Sequence, residues 1–285
     1  MISISKFGHN DYGRFGNQLF QYSLAKILST HNNCNFYLNP SNHFVNFFDK
    51  KYLTYRPIIK DLRTKEYIEL DAYGFDDTLY SKTNIDIIGF FQNLQYYKNN
   101  LDILKSEFIP NPTRLSNTLD YLKSKTKYNL NLDETICLHI RRTDYTNLQN
   151  KYGFLNIQYY LHIIENYIDK YQHIFIISDD IYRIKSELQG VLLDANVYLV
   201  DSLDIYCDFY TMYLSRINLI ANSTFSWWSA MLSSLNGAKT IFIPYPWLNY
   251  TNSKYSTLSP SDINLYPESW NKINSNTIRW NELFV

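Results

Sequence analysis

Three short segments carry residues whose types and spacing suit chemistry on an anion. The first is LHIRRTDY (138–145), where Arg141 and Arg142 are adjacent, with His139 two residues before them and Asp144 two residues after. Arginine presents a planar fork of donors, so an adjacent pair matches the several oxygens of a diphosphate in a way that lysine point charges do not. The plainer alternative is a solvated pair neutralised by Asp144, with His139 a satisfied core residue. The second segment is INLIANSTFSWWSAML (217–232), an apolar run followed by Asn222, Ser223, Thr224 and Ser226 and then a helix. Hydroxyls and amides at a helix N-terminus, where the helix dipole is positive, make an anion site without a glycine-rich loop. The alternative there is a simple cap by Ser223 or Thr224, with Trp227 and Trp228 in the core. The third is SDD (178–180). Asp179 or Asp180 could accept from a ribose hydroxyl or from the N1 and N2 donors of guanine, or could cap the next helix.

These segments act together only if the chain brings them to one edge. From about residue 134, apolar runs at 135–140, 173–178, 196–200, 217–221 and 240–245 alternate with amphipathic segments at 157–170, 180–189, 203–214 and 224–235. The runs are continuous instead of alternating, which predicts a parallel sheet covered by helices on both faces. Each chemical segment then stands at the carboxyl end of a strand, where open α/β sheets bind ligands. The first half is less regular. GRFGNQ (13–18) opens a helix with Phe20, Leu24, Ile27 and Leu28 on one face, and DIIGFF (86–91) reads as a strand followed by a helix to about 107. Residues 39–84 show no sustained period. The prolines of PNPTRLSN (110–117) and the polar run 123–134 mark a boundary, so the expected organisation is one lobe at 1–125 and a Rossmann-like lobe at 126–285.

Composition narrows the class. Lys plus Arg and Asp plus Glu are both 27 in 285 residues, and this zero net charge argues against a nucleic-acid partner. Three scattered cysteines encode neither a disulfide framework nor a zinc site and fit a reducing compartment. The sequence shows no secretory leader and no apolar stretch of about 18 residues, so the expectation is a soluble, cytoplasmic protein, compatible with peripheral membrane association. G-x-G-x-x-G, Walker, H-E-x-x-H and D-x-D motifs are missing, so no cofactor and no metal are expected: the arginines and the helix terminus would neutralise a diphosphate.

Taken together, GRFGNQLFQY (13–22), GFFQNLQYY (89–97), LHIRRTDY (138–145), ISDD (177–180) and ANSTFSWWSAML (221–232) resemble the α-1,2-fucosyltransferase family, in the family's order and over most of the chain. The resemblance implies an α/β protein of GT-B type, with two Rossmann-like lobes facing across a cleft. It also implies GDP-β-L-fucose as donor, inversion to an α-fucoside on a glycan acceptor (a terminal galactose), and no essential metal. By the same resemblance Arg141 and Arg142 would hold the diphosphate, His139 would lie near the nucleoside, and Asp179 would be the guanine contact. Asn222, Ser223, Thr224 and Ser226 would bind phosphate. Arg14, Gly16 and Asn17 of GRFGNQ would face the fucose and the acceptor. Asp144 is placed either to accept the acceptor's proton or to orient Arg142, and the base stays unassigned. A nucleotide-sugar or carbohydrate-binding protein without turnover is the rival reading.

Overall fold

The computed structural model describes residues 1–59, 62–143, 145, 155, 157–161, 171–188, 196–237, 239–248 and 263–274. They divide into two compact units, Met1–Pro112 with residues 263–265, and the described residues from Thr113 to 248 with those from 266 onward. The division falls ahead of helix α4 (Pro112–Lys125), because that helix packs with the second unit. Its Leu122 joins Cys137, Phe175 and Met212 in one core, and the Arg114 guanidinium lies 4.2 Å from the Tyr206 ring centre. Pro112, read from the sequence as a break, occupies the first helical position, where the missing N–H costs nothing.

In the first unit, β1 (Ile2–Ile4), β2 (Phe36–Leu38), β3 (Lys65–Ile68) and β4 (Ile85–Ile88) form a parallel sheet in the order β2-β1-β4-β3. Helix α1 (Phe15–His31) follows the glycine-punctuated turn, as its pattern predicts, and buries Leu19, Phe20, Leu24, Ile27 and Leu28. Around it Phe15, Tyr22, Phe44, Phe47, Phe48 and Phe108 pack ring on ring, with Phe15 and Phe47 stacked at 3.7 Å. Two short helices complete the described unit, α2 (Asn42–Val45) and α3 (Leu101–Glu107).

One buried carboxylate ties α1 to its surroundings. Glu107 at the end of α3 is 2% exposed; it accepts from Tyr22 Oη (2.5 Å) and from Thr54 N (2.6 Å) and pairs with Lys26 Nζ at 3.0 Å. Burial and the neighbouring Glu107 carboxylate push the Tyr22 hydroxyl well above its ordinary range, so it stays a donor.

In the second unit, β5 (Thr135–Ile140), β6 (His173–Ser178), β7 (Val197–Leu199), β8 (Ile217–Leu219), β9 (Thr240–Tyr245) and β10 (Asn271–Asn274) form a parallel sheet in the order β10-β9-β8-β5-β6-β7. Besides α4, its described helices are α5 (Ile181–Glu187), α6 (Ile205–Leu214) and α7 (Thr224–Leu235), and residues 157–161 are helical. The remainder of the helix expected at 157–170 lies outside the described residues. Strand β5 shows why its sequence run is continuous. Ile136, Leu138 and Ile140 enter a core with Tyr159, Tyr160 and Ile184, while Cys137 between them enters the core on the other face. Trp227 and Trp228 are fully buried, as core residues. Among the described residues no helix is long and apolar enough to cross a membrane.

Removing the Glu107 carboxylate would strand Lys26, Tyr22 and the Thr54 N–H around an empty centre. Glu107→Ala is expected to cost about 3 kcal/mol, read as a lower urea midpoint at unchanged m value. A loss below about 1 kcal/mol, within the range of an exposed pair, would show that the network contributes little.

Candidate active site

The middle of the second sheet is β8-β5-β6, and the three segments singled out in the sequence leave the carboxyl ends of these three adjacent strands. Arg141 and Arg142 follow β5, Asp179 follows β6, and Asn222 to Thr224 follow β8. Named contacts join them. Arg141 Nε pairs with Asp179 Oδ2 at 3.1 Å, and the guanidinium lies 5.7 Å from the Tyr145 ring centre. Tyr145 Oη donates to Asn222 O at 2.6 Å, and the His139 ring lies 5.9 Å from that of Phe225.

Asp179 organises this edge. Its carboxylate accepts from Arg142 N (2.7 Å), Thr143 N (3.1 Å) and Thr143 Oγ1 (2.5 Å) in addition to the Arg141 pair. Burial raises its pKa, but Arg141, the Thr143 hydroxyl and the Arg142 N–H outweigh it and hold the group below the ordinary carboxylate range. The capping alternative goes to its neighbour, since Asp180 accepts from Arg183 N at the start of α5.

The two arginines differ. Arg142 is 4% exposed, with Nη1 donating to Leu155 O (3.0 Å) and Arg141 O (3.2 Å) and Nη2 pairing with Glu187 at 3.3 Å. A cation so placed braces the strand end from beneath, and Arg141 is the less enclosed of the pair. His139 is buried, and burial with Arg141 beside it pushes its ring down to about 3, so it is neutral at any working pH. Its Nδ1 has no hydrogen-bond partner among the described residues. Asp144 lies outside them.

At α7, Ser223 holds the cap position without a side-chain hydrogen bond to the helix, so the simple capping role is not the one it plays. Asn222 Nδ2 donates to Trp247 O at 3.2 Å, and the buried Ser226 hydroxyl donates to Ser223 O at 3.1 Å, which makes Ser226 part of the helix turn. Thr224 is the first helical residue. Sequence reading passed over Asp208, a lone carboxyl in the otherwise apolar stretch of α6. Burial, with Asp204 and Asp179 adding to it, raises it to about 7, so it can hold or release a proton at neutral pH. Its signal was legible: a single acid in a helix otherwise built for the core.

In the first unit, Gly13 has φ 89, and a Cβ there would fall 1.9 Å from Asn17 Nδ2. Glycine is therefore required both for the backbone and for the amide packed against it. The cap of α1 is Arg14, exposed and without a side-chain cap bond, and Gly16 is buried in the first turn. Asn17 does not cap the helix: it lies within it, and its Oδ1 accepts from Gln92 Nε2 at 2.9 Å. GRFGNQ and GFFQN, far apart in sequence, thus meet through one side-chain bond.

A nucleotide-sized anion could be met at the second edge by an arginine held rigid by a carboxylate, where Tyr145 links that arginine to the residue before the α7 cap. Two units built on parallel sheets, with a ligand edge at strand carboxyl ends, are the elements of a GT-B type fold, and solved structures agree on that fold. POFUT1 in complex with GDP superposes with a TM-score of 0.52 at 12% identity, over 84% of this chain and 97% of that one. The α-1,6-fucosyltransferase NodZ, co-crystallised with GDP, gives 0.52 at 13% identity over 81% and 92%. The chain belongs to glycosyl transferase family 11, whose profile matches residues 2–274. Its curated relatives include an alpha-1,2-colitosyltransferase of Escherichia coli, 25% identical over 92% of this chain and 96% of that one. Another is the O-antigen biosynthesis glycosyltransferase WbnK of Escherichia coli, 30% identical over 72% and 69%.

The burial difference between the arginines sets an expected difference in stability. Arg142→Ala takes the buried cation from the Leu155 carbonyl and leaves Glu187 only its pair with Arg183, and is expected to cost about 2 kcal/mol. Arg141→Ala leaves Asp179 three other donors and is expected to cost less than about 1 kcal/mol. Denaturant melts of the two variants check this, and equal losses would contradict the assignment of Arg142 as the brace.

Proposed function

We propose that the protein transfers L-fucose from GDP-β-L-fucose to O2 of a terminal galactose on a glycan acceptor, with inversion to an α-1,2 linkage. The observation that carries this is the junction of three strand ends, where Arg141 is fixed by Asp179 and Tyr145 and stands beside the start of α7. In the reaction the acceptor oxygen forms a bond to fucose C1 as the bond from C1 to the GDP oxygen breaks. The hydroxyl proton is released, and negative charge gathers on the departing diphosphate. Arg141 and the helix start are aimed where that charge develops, and groups fixed in advance need no reorganisation as it appears. Asp179 serves by holding Arg141, Arg142 by bracing the turn, and neutral His139 lies near the nucleoside. Asn17, with Arg14 and Gly16 in the first unit, is read as the acceptor contact. Charge neutralisation by these groups supports transfer without a metal. Three free cysteines, two of them buried, support a cytoplasmic setting.

A second donor follows from the relative named as a colitosyltransferase, which aligns with nearly the whole chain. Colitose is fucose without the 3-hydroxyl, so a site that makes no bond to that hydroxyl would accept either sugar.

The test supplies GDP-fucose and GDP-colitose in parallel to galactose-terminated acceptors, with linkage analysis of the product. An α-1,2 product that persists in excess EDTA is expected. GDP-sugar binding with no release of GDP to any acceptor would favour the binding protein without turnover, and loss on chelation restored by Mn²⁺ would reveal a metal requirement.

In the same assay Arg141→Lys is expected to lose about two orders of magnitude in transfer rate, because a point charge cannot replace a forked contact made to the leaving group. Near wild-type turnover in that variant would remove Arg141 from the leaving-group site.

A further inference from the structure

Glu69, the residue after β3, turns its carboxylate onto the loop that leaves β4. It accepts from the backbone N–H of Phe90 at 2.6 Å and from that of Phe91 at 2.8 Å. Gly89 makes room for it, since a Cβ at that position would stand 2.4 Å from Glu69 Cβ and 2.6 Å from Oε2. The same loop is tied at three further points. Gln21 Nε2 donates to Gly89 O (2.8 Å), Tyr97 Oη donates to Phe91 O (2.7 Å), and Gln92 N donates to Ala72 O (2.9 Å).

Between these ties Phe91 is held at φ 53, a left-handed conformation that a bulky residue adopts only where its surroundings over-determine it. The strained turn delivers Gln92, and Gln92 donates to Asn17. A loop held against its own preference, whose product is the orientation of one side-chain amide, is built to fix that amide.

We propose that Glu69 is a positioning residue for the transfer reaction: by holding the Phe90–Phe91 turn it sets Gln92, and through Gln92 it sets Asn17 toward the acceptor. The inference rests on the reading of Asn17 as an acceptor contact. Glu69 itself does not touch substrate. The groups that face its carboxylate are Asp71 two residues further along the segment after β3, Tyr67 on β3, and Tyr96 and Tyr97 in the turn after the GFFQN segment. Burial raises the carboxyl to about 7 against the pull of the two N–H bonds, with Asp71 adding to the rise. Protonation turns one of its oxygens from an acceptor into a hydroxyl facing backbone donors, so the turn loosens as pH falls through that value.

The experiment measures acceptor kcat and KM, GDP affinity by calorimetry and the melting temperature, from pH 5.5 to 8.5. It compares wild type, Glu69→Gln, Gly89→Ala and the double variant. Glu69→Gln is expected to lower acceptor kcat/KM by at least about tenfold through misplacement of Asn17, with GDP affinity unchanged. Wild-type transfer should fall as pH drops through about 7, and that limb should be missing in Glu69→Gln. Gly89→Ala alters no polar group but displaces the carboxylate, so it should reproduce the kinetic defect, and the double variant should be no worse than the worse single one. Wild-type acceptor kinetics with the same pH limb in Glu69→Gln would overturn the inference while the proposed function stands. Should Glu69→Gln fail to fold, wild-type kinetics in Gly89→Ala would overturn it equally. If wild type transfers no sugar from either donor, the proposed function falls and takes the inference with it.

Discussion

A strand buried on both faces has no place for a charge along its length, and this constraint shapes the second unit. Strand β5 sends alternate side chains into two separate cores, so its first charged side chains appear where the strand stops, at Arg141 and Arg142. The same holds for β6, which ends at Ser178 and runs directly into Asp179. Because the two strands are parallel and in register from Thr135 and His173 to Ile140 and Ser178, their first charged residues arrive side by side. The Asp179 carboxylate then bridges the gap and shapes the turn that carries the arginines. Charge is excluded from the sheet by dehydration and collected at one edge by register, and the chemistry of the protein is located by that exclusion.

The first unit solves a different problem with neutral groups. Its polar side chains near GRFGNQ are mostly amides, and an amide's direction is not fixed by Coulomb attraction. It has to be fixed by bonds that leave it one orientation. Gly13 yields space to Asn17, Gly89 yields space to Glu69, and Gln92 joins the two segments. Two glycines and one carboxylate thereby do for the amides what an ion pair does for Arg141.

The same physics decides how much of this was legible in the sequence. The long strands at 135–140, 173–178 and 240–245 declare themselves as unbroken apolar runs, because both of their faces must be dry. Strands β2 and β3 are three and four residues long, and β3 is an exposed edge, so neither leaves a pattern. Helix α4 was hidden by Pro112, because a proline that opens a helix and one that ends a segment look alike until the residues after it are placed. The edge residues Arg141, Arg142 and Asp179 could be found by type and position. Their division of labour could not, because it rests on Leu155 and Glu187 reaching Arg142 from other segments. Glu69 gave no local signal, since a carboxylate bonded to backbone amides some twenty positions ahead looks like any surface acid in sequence.

The path of the chain imposes an order on synthesis. Residues 263–265 belong to the first unit, where Asn264 O accepts from Leu94 N at 2.6 Å. A ribosome that has made the first 112 residues has therefore not made all of that unit. Its last segment emerges only after the strands of the second unit up to β9 have been produced, so the first unit is complete only late in synthesis. Cutting the gene at residue 112 would separate the first unit from residues 263–265, which it takes back.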